Sequence, residues 1–102
     1  MLSPELKKIF DQAVKEAIDQ IPVVSLGFKG SGLDLKKYVD NEMDFYLGVT
    51  MATIIERYDY KVIGKNNKFT LQEATFARPD MITGIYDKIP ILKEEIKSKI
   101  GL

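Results

Sequence analysis

Neither cysteine nor histidine occurs anywhere in this chain of 102 residues. The missing cysteine removes disulfides, thiolate nucleophiles and cysteine metal sites, and makes a reducing compartment the simplest setting. The missing histidine removes the commonest general base near neutral pH and the commonest neutral ligand of transition metals. Zinc, haem and serine–histidine chemistry fall away with it, and the sequence leads us to expect no cofactor and no metal.

An excess of charge of one sign is also lacking. Lysine plus arginine number 15 and aspartate plus glutamate number 15, so the formal net charge is zero. No global field draws the protein toward nucleic acid or anionic lipid, and either partner would need a local patch. Long apolar runs are absent too. The longest uncharged stretch near the middle, Phe45 to Ile55, is bracketed by Asp44 and Glu56, well short of the roughly 20 residues that cross a bilayer. The opening Met1-Leu2-Ser3-Pro4-Glu5 carries no basic segment followed by an apolar run. The expectation is therefore a cytoplasmic protein with no membrane partner.

What the chain does contain is a globular mixture, 45% hydrophobic and 29% charged, which excludes whole-chain disorder. No repeat, low-complexity tract or linker divides it, so residues 1–102 read as a single helical domain. Ser3-Pro4-Glu5 is a helix start: serine caps free amides, proline suits the first helical position, and glutamate meets the positive dipole end. Leu6, Ile9, Phe10, Ala13, Val14, Ala17, Ile18 and Ile21 then recur three and four apart as one buried stripe. Pro22 is expected to end this helix, and the three glycines of residues 22–33 to form the longest connector.

Asp34 reads as the N-cap of a second, central helix reaching toward Gly64, whose apolar positions wrap most of the way round. A rival reading makes residues 60–71 a β-hairpin turning near Asn66-Asn67. Thr70 and Glu73 have the spacing of a capping box and start a third helix, which Arg78-Pro79 should cut short. Ile82, Ile85, Ile89, Leu92, Ile96 and Ile100 continue in phase through Pro90, giving a kinked helix or two nearly collinear ones. The sum is an all-α compact bundle of four to five helices, with the 60–71 hairpin as its one β alternative.

Three segments invite a chemical reading. Gly27-Phe28-Lys29-Gly30-Ser31-Gly32 resembles an anion-cradling loop only superficially, since a phosphate loop needs lysine and serine or threonine directly after its last glycine and Leu33-Asp34 stand there. The carboxylates Asp40, Glu42, Asp44, Glu56 and Asp59 flank the central helix and could hold magnesium for a hydrolase of phosphorylated small molecules. Asn41 and Met43 interrupt that set, and Lys37, Arg57 and Lys61 can neutralise it. A helix-turn-helix would place its turn at Arg78-Pro79-Asp80 and its reading helix at Met81–Lys88. Asp80 and Asp87 face the wrong way electrostatically for DNA, so a nucleic-acid partner is disfavoured, although lysines at 61, 65 and 68 lie nearby.

The leading expectation rests on the central helix. Gly48 costs about 1 kcal/mol relative to alanine inside a helix, and Ala52 shares its face four residues on, so a second helix could approach closely there. The apolar girdle is wider than a few short helices cover. Phe45, Tyr46, Gly48, Val49, Ala52 and Thr53 are accordingly the candidate interface of a self-associating interaction module, a two-fold homodimer whose role is not catalytic. Another protein is the other partner of the same kind.

Overall fold

The computed structural model describes residues 1–65 and 68–102, and its described residues are helical throughout apart from caps and short links. Helix α1 spans Pro4–Gly30, α2 Glu42–Asp59 and α3 Leu71–Ile100. A 3-10 turn at Leu35–Lys37 precedes α2, and a π-helical segment at Tyr60–Lys65 prolongs it. The all-α class stands. The four to five helices become three, because two expected breaks do not occur.

The first is at Pro22. The Leu6 amide donates to Ser3 Oγ at 3.3 Å, so α1 starts where its capping residues place it, but it then runs through Pro22 to Gly30. An internal proline forfeits one backbone hydrogen bond and costs about 3 kcal/mol. Here the continuing helix is held by burial on both sides of it, at Ile21 and Ser25, and by the edge of Phe28 meeting Phe45 at 5.1 Å between ring centroids. The expected connector 22–33 is therefore mostly helix. The chain turns instead at Gly32, whose φ of +75° suits glycine.

The second break was placed at Pro79. Thr70 and Glu73 do form the capping box, each accepting a backbone amide of the other at 3.0 Å. From there α3 passes both Pro79 and Pro90 and stops only at Gly101, where φ is +75°. Met81, Ile85, Leu92 and Ile96 are buried along it, while both prolines lie on its exposed side. A carbonyl freed by proline on that side meets water, so burial of the inner stripe outweighs the lost bonds.

Asp34 caps only the 3-10 turn, accepting the Lys36 amide at 3.2 Å. Asn41 is the cap of α2, accepting the Asp44 amide at 3.0 Å. No hairpin forms in the described part of 60–71: Tyr60–Lys65 is π-helical and keeps Val62 in the core. The turn placed at Asn66-Asn67 lies outside the described residues.

The three helices pack on one another around Phe10, Ala13, Ala17, Ile54, Tyr58, Met81, Ile85 and Leu92. Gly84 lets α1 and α3 close together, since a Cβ there would stand 3.0 Å from Phe10 Cζ. A second cluster of Ile21, Tyr46 and Ile96 fills the far end. Among the described residues no helix is long and apolar enough to cross a membrane.

Candidate interaction surface

Position along α2 decides what its outer face carries. Tyr46, Thr50, Ile54 and Tyr58 are buried at intervals of four and turn inward. Gly48, Ala52 and Glu56 are exposed on the opposite side, with Phe45 and Val49 half-buried on the flank toward α1 and Met51 and Ile55 half-buried on the other. Between Asp44 and Glu56 this outer face has no charged residue. Its own helix backbone and sequence neighbours aside, a Cβ built on Gly48 would meet no atom of the described residues within 4 Å, so the space beside it is open.

Of the six candidate interface residues, Phe45, Gly48, Val49 and Ala52 thus share one strip. Tyr46 does not belong to it. It is 5% exposed, packs with Ile21 and Ile96, and stacks edge-on against Phe45 at 5.3 Å. Thr53 is half-buried where α2 leans on α1, and its hydroxyl donates to the Val49 carbonyl at 2.8 Å. It is a residue of the cleft between α1 and α2, which Ala17, Gln20 and Val24 also line.

The flank toward α3 was not legible as part of the surface. Asp59 pairs with Arg78 at one end of the α2/α3 contact, and Met43 and Lys97 line one hollow at the other, so the helices run antiparallel in a fixed register. Each step down α2 from Asp59 matches a step up α3 from Arg78. To within a turn, Tyr86 is level with Met51 and Ala52, and Lys93 with Asp44. Tyr86 is 59% exposed and shares a row on α3 with Pro79 and Lys93, seven residues apart on either side. Ile82 is half-buried against the main core cluster. The only sequence sign of this row is the spacing of seven, which the prolines obscure.

The other segments are placed differently from their chemical readings. Gly27–Gly30 is the last turn of α1, whose carbonyl end carries negative partial charge and repels an anion. Ser31 closes that end, donating to the Phe28 carbonyl at 2.7 Å. Asp59 is paired with Arg78, and Arg57 and Lys61 both reach Glu16 of α1. Among the described residues no three acidic side chains gather to hold a metal. Arg78-Pro79-Asp80, the proposed turn of a helix-turn-helix, is unbroken α-helix.

Among the described residues, two groups have displaced protonation equilibria. Burial pushes the Tyr58 phenol up from its ordinary value, with the neighbouring Asp59 carboxylate adding to the rise and Arg78 opposing it. Its hydroxyl has no hydrogen-bond partner among the described residues. The Thr70 backbone amide, and then the Thr70 hydroxyl, hold the Glu73 carboxyl below the usual carboxylate range. Neither group lies on the open face of α2.

The class defined by this geometry is a three-helix bundle whose central helix carries an uncharged strip from Phe45 to Ile55 on its outer side. No protein-family model, no curated protein and no solved structure matches the chain.

Proposed function

We propose that the protein is a helical self-association module, and that the outer face of α2 seats a second copy of the chain. The observation that carries the reading is the pairing of an uncharged outer face from Phe45 to Ile55 with empty space beside Gly48. An uncharged strip whose apolar side chains stay half-buried on a small domain can be covered by another protein surface, and a glycine beside an exposed alanine lets a helix backbone come close. Phe45, Val49, Met51 and Ile55 supply the apolar area on either side of that approach. The action is association, with no chemistry at the surface.

The test is solution mass by light scattering over a concentration series. The reading expects the mass to rise from 11.6 kDa toward twice that value. A mass fixed at the single-chain value up to concentrations of about 1 mM, the weak end of specific affinity, overturns it.

A further inference from the structure

We infer that the second copy packs about a two-fold axis running along the groove between α2 and α3, so that α2 of each chain lies on α3 of the other and the pair forms a four-helix bundle. This rests on the self-association proposed above and specifies its geometry.

Size is the first reason for involving a second helix. The uncharged part of α2 is about 16 Å long at 1.5 Å per residue, too little to supply the roughly 800 Å² per partner of a standard interface. The surface must extend onto a neighbour. On the α1 side it meets the charged group Glu16, Arg57 and Lys61 at one end and the hollow of Val24, Phe28 and Leu33 beside Phe45 at the other. On the α3 side it continues over Met51, Ile55, Ile82 and Tyr86 without a charge until Asp59–Arg78 at one end and the level of Asp44 and Lys93 at the other.

Charge then selects the symmetry. An axis along the helices keeps every residue at its own level, so it sets Asp44 against the partner subunit's Lys93 and Lys93 against the partner subunit's Asp44. Neither residue has an ion-pair partner within its own chain among the described residues. An axis across the helices would instead lay α2 on the partner's α2 in reverse, bringing the end that carries Asp44 toward the end that carries Glu56 and Asp59, acid against acid. Like charges so placed oppose association.

Shape agrees with charge. Keeping levels brings the exposed Tyr86 ring over the partner's Gly48, Met51, Ala52 and Ile55, where the missing Cβ of Gly48 and the small Ala52 leave a hollow for it. This is a knob entering a hole, as in other bundles whose helices run nearly antiparallel. Two such contacts form, one at each side of the axis.

The absence of cysteine makes the test clean. A Gly48→Cys protein and a Tyr86→Cys protein are prepared separately, mixed, left to exchange chains, and oxidised mildly, while light scattering follows the natural chain. The expected result is a covalent dimer from the mixture and none from either variant alone, since a disulfide needs its Cα atoms within about 7 Å. A covalent dimer from Gly48→Cys alone places α2 on α2 and overturns the arrangement. No covalent dimer in any sample, with the natural chain still dimeric, also overturns it but leaves self-association standing. A natural chain that stays monomeric overturns both.

Discussion

Two glycines stand inside long helices away from their last turns, and their surroundings are opposite; Gly27, in the last turn of α1, is open like Gly48. At Gly84 the place of a side chain is taken, because a Cβ would come within 3.0 Å of Phe10 Cζ. At Gly48, beyond its own helix and sequence neighbours, no atom of the described residues lies within 4 Å of that place. Each glycine costs its helix about 1 kcal/mol relative to alanine. For Gly84 the chain supplies the compensation, since the Phe10 ring packs directly on the α3 backbone and closes the core. For Gly48 the chain supplies none. A residue that weakens its own helix without helping its own fold is what a contact made outside the chain would leave behind, and this contrast is the main internal support for the second copy.

The contrast can be broken most forcefully at Phe10. Phe10→Ala should lower stability by about 3–5 kcal/mol, the usual cost of deleting a buried ring, as read from urea unfolding. A loss below about 1 kcal/mol would mean that the ring does not hold α1 to α3. Gly84→Ala sharpens the point. In the natural background the added methyl crowds the ring and should cost up to about 1–3 kcal/mol; combined with Phe10→Ala it should turn stabilising by about 1 kcal/mol, the ordinary helix gain. Strict additivity of the two substitutions would contradict the close approach. Gly48→Ala, measured at high dilution, should stabilise the single chain by about 1 kcal/mol because nothing obstructs the methyl.

Tyr58 offers a smaller effect in the same core. Its hydroxyl is buried without a partner, so Tyr58→Phe should be neutral or stabilising by up to about 1 kcal/mol. Because its folded pKa is raised, the stability linked to it is present below the unfolded value near 10 and is lost as pH climbs through the folded one. Tyr58→Phe should flatten that alkaline decline; an unchanged decline would show that another group causes it. The smallest effect is local. Glu73 is held low by Thr70, so its contribution is present above the ordinary carboxylate pKa and fades as acid takes the pH down through the folded one. Amide exchange in the first turn of α3 should quicken there, and Glu73→Ala should remove the dependence.

Local signals read well at the first and third helix starts, whereas Asp34, taken as the cap of the central helix, caps only the 3-10 turn and Asn41 caps α2. Ser3-Pro4-Glu5 and the Thr70/Glu73 box mark their helix starts because the bonds involved span only three residues. The breaks at Pro22 and Pro79 were expected from backbone cost alone. They do not occur because Ile21, Ser25, Met81 and Ile85 are buried close by, and that burial is a property of the assembled bundle. The same holds for the surface. Phe45, Gly48, Val49 and Ala52 were legible from spacing on a single helix, and Tyr46 was assigned outward because an unbroken apolar run does not say which side faces in. Tyr86 and Lys93 join the surface only through the register between α2 and α3, which no one-helix pattern contains.

The most direct test of the account is the solution mass of the natural chain beside Gly48→Lys at matched concentrations. The variant folds freely into open space on a helix that lysine favours over glycine, so helix content should be unchanged or slightly higher. The natural chain should approach twice 11.6 kDa while the variant, with a long charged side chain in the contact, stays at the single-chain mass. Equal masses for the two at every concentration would contradict it.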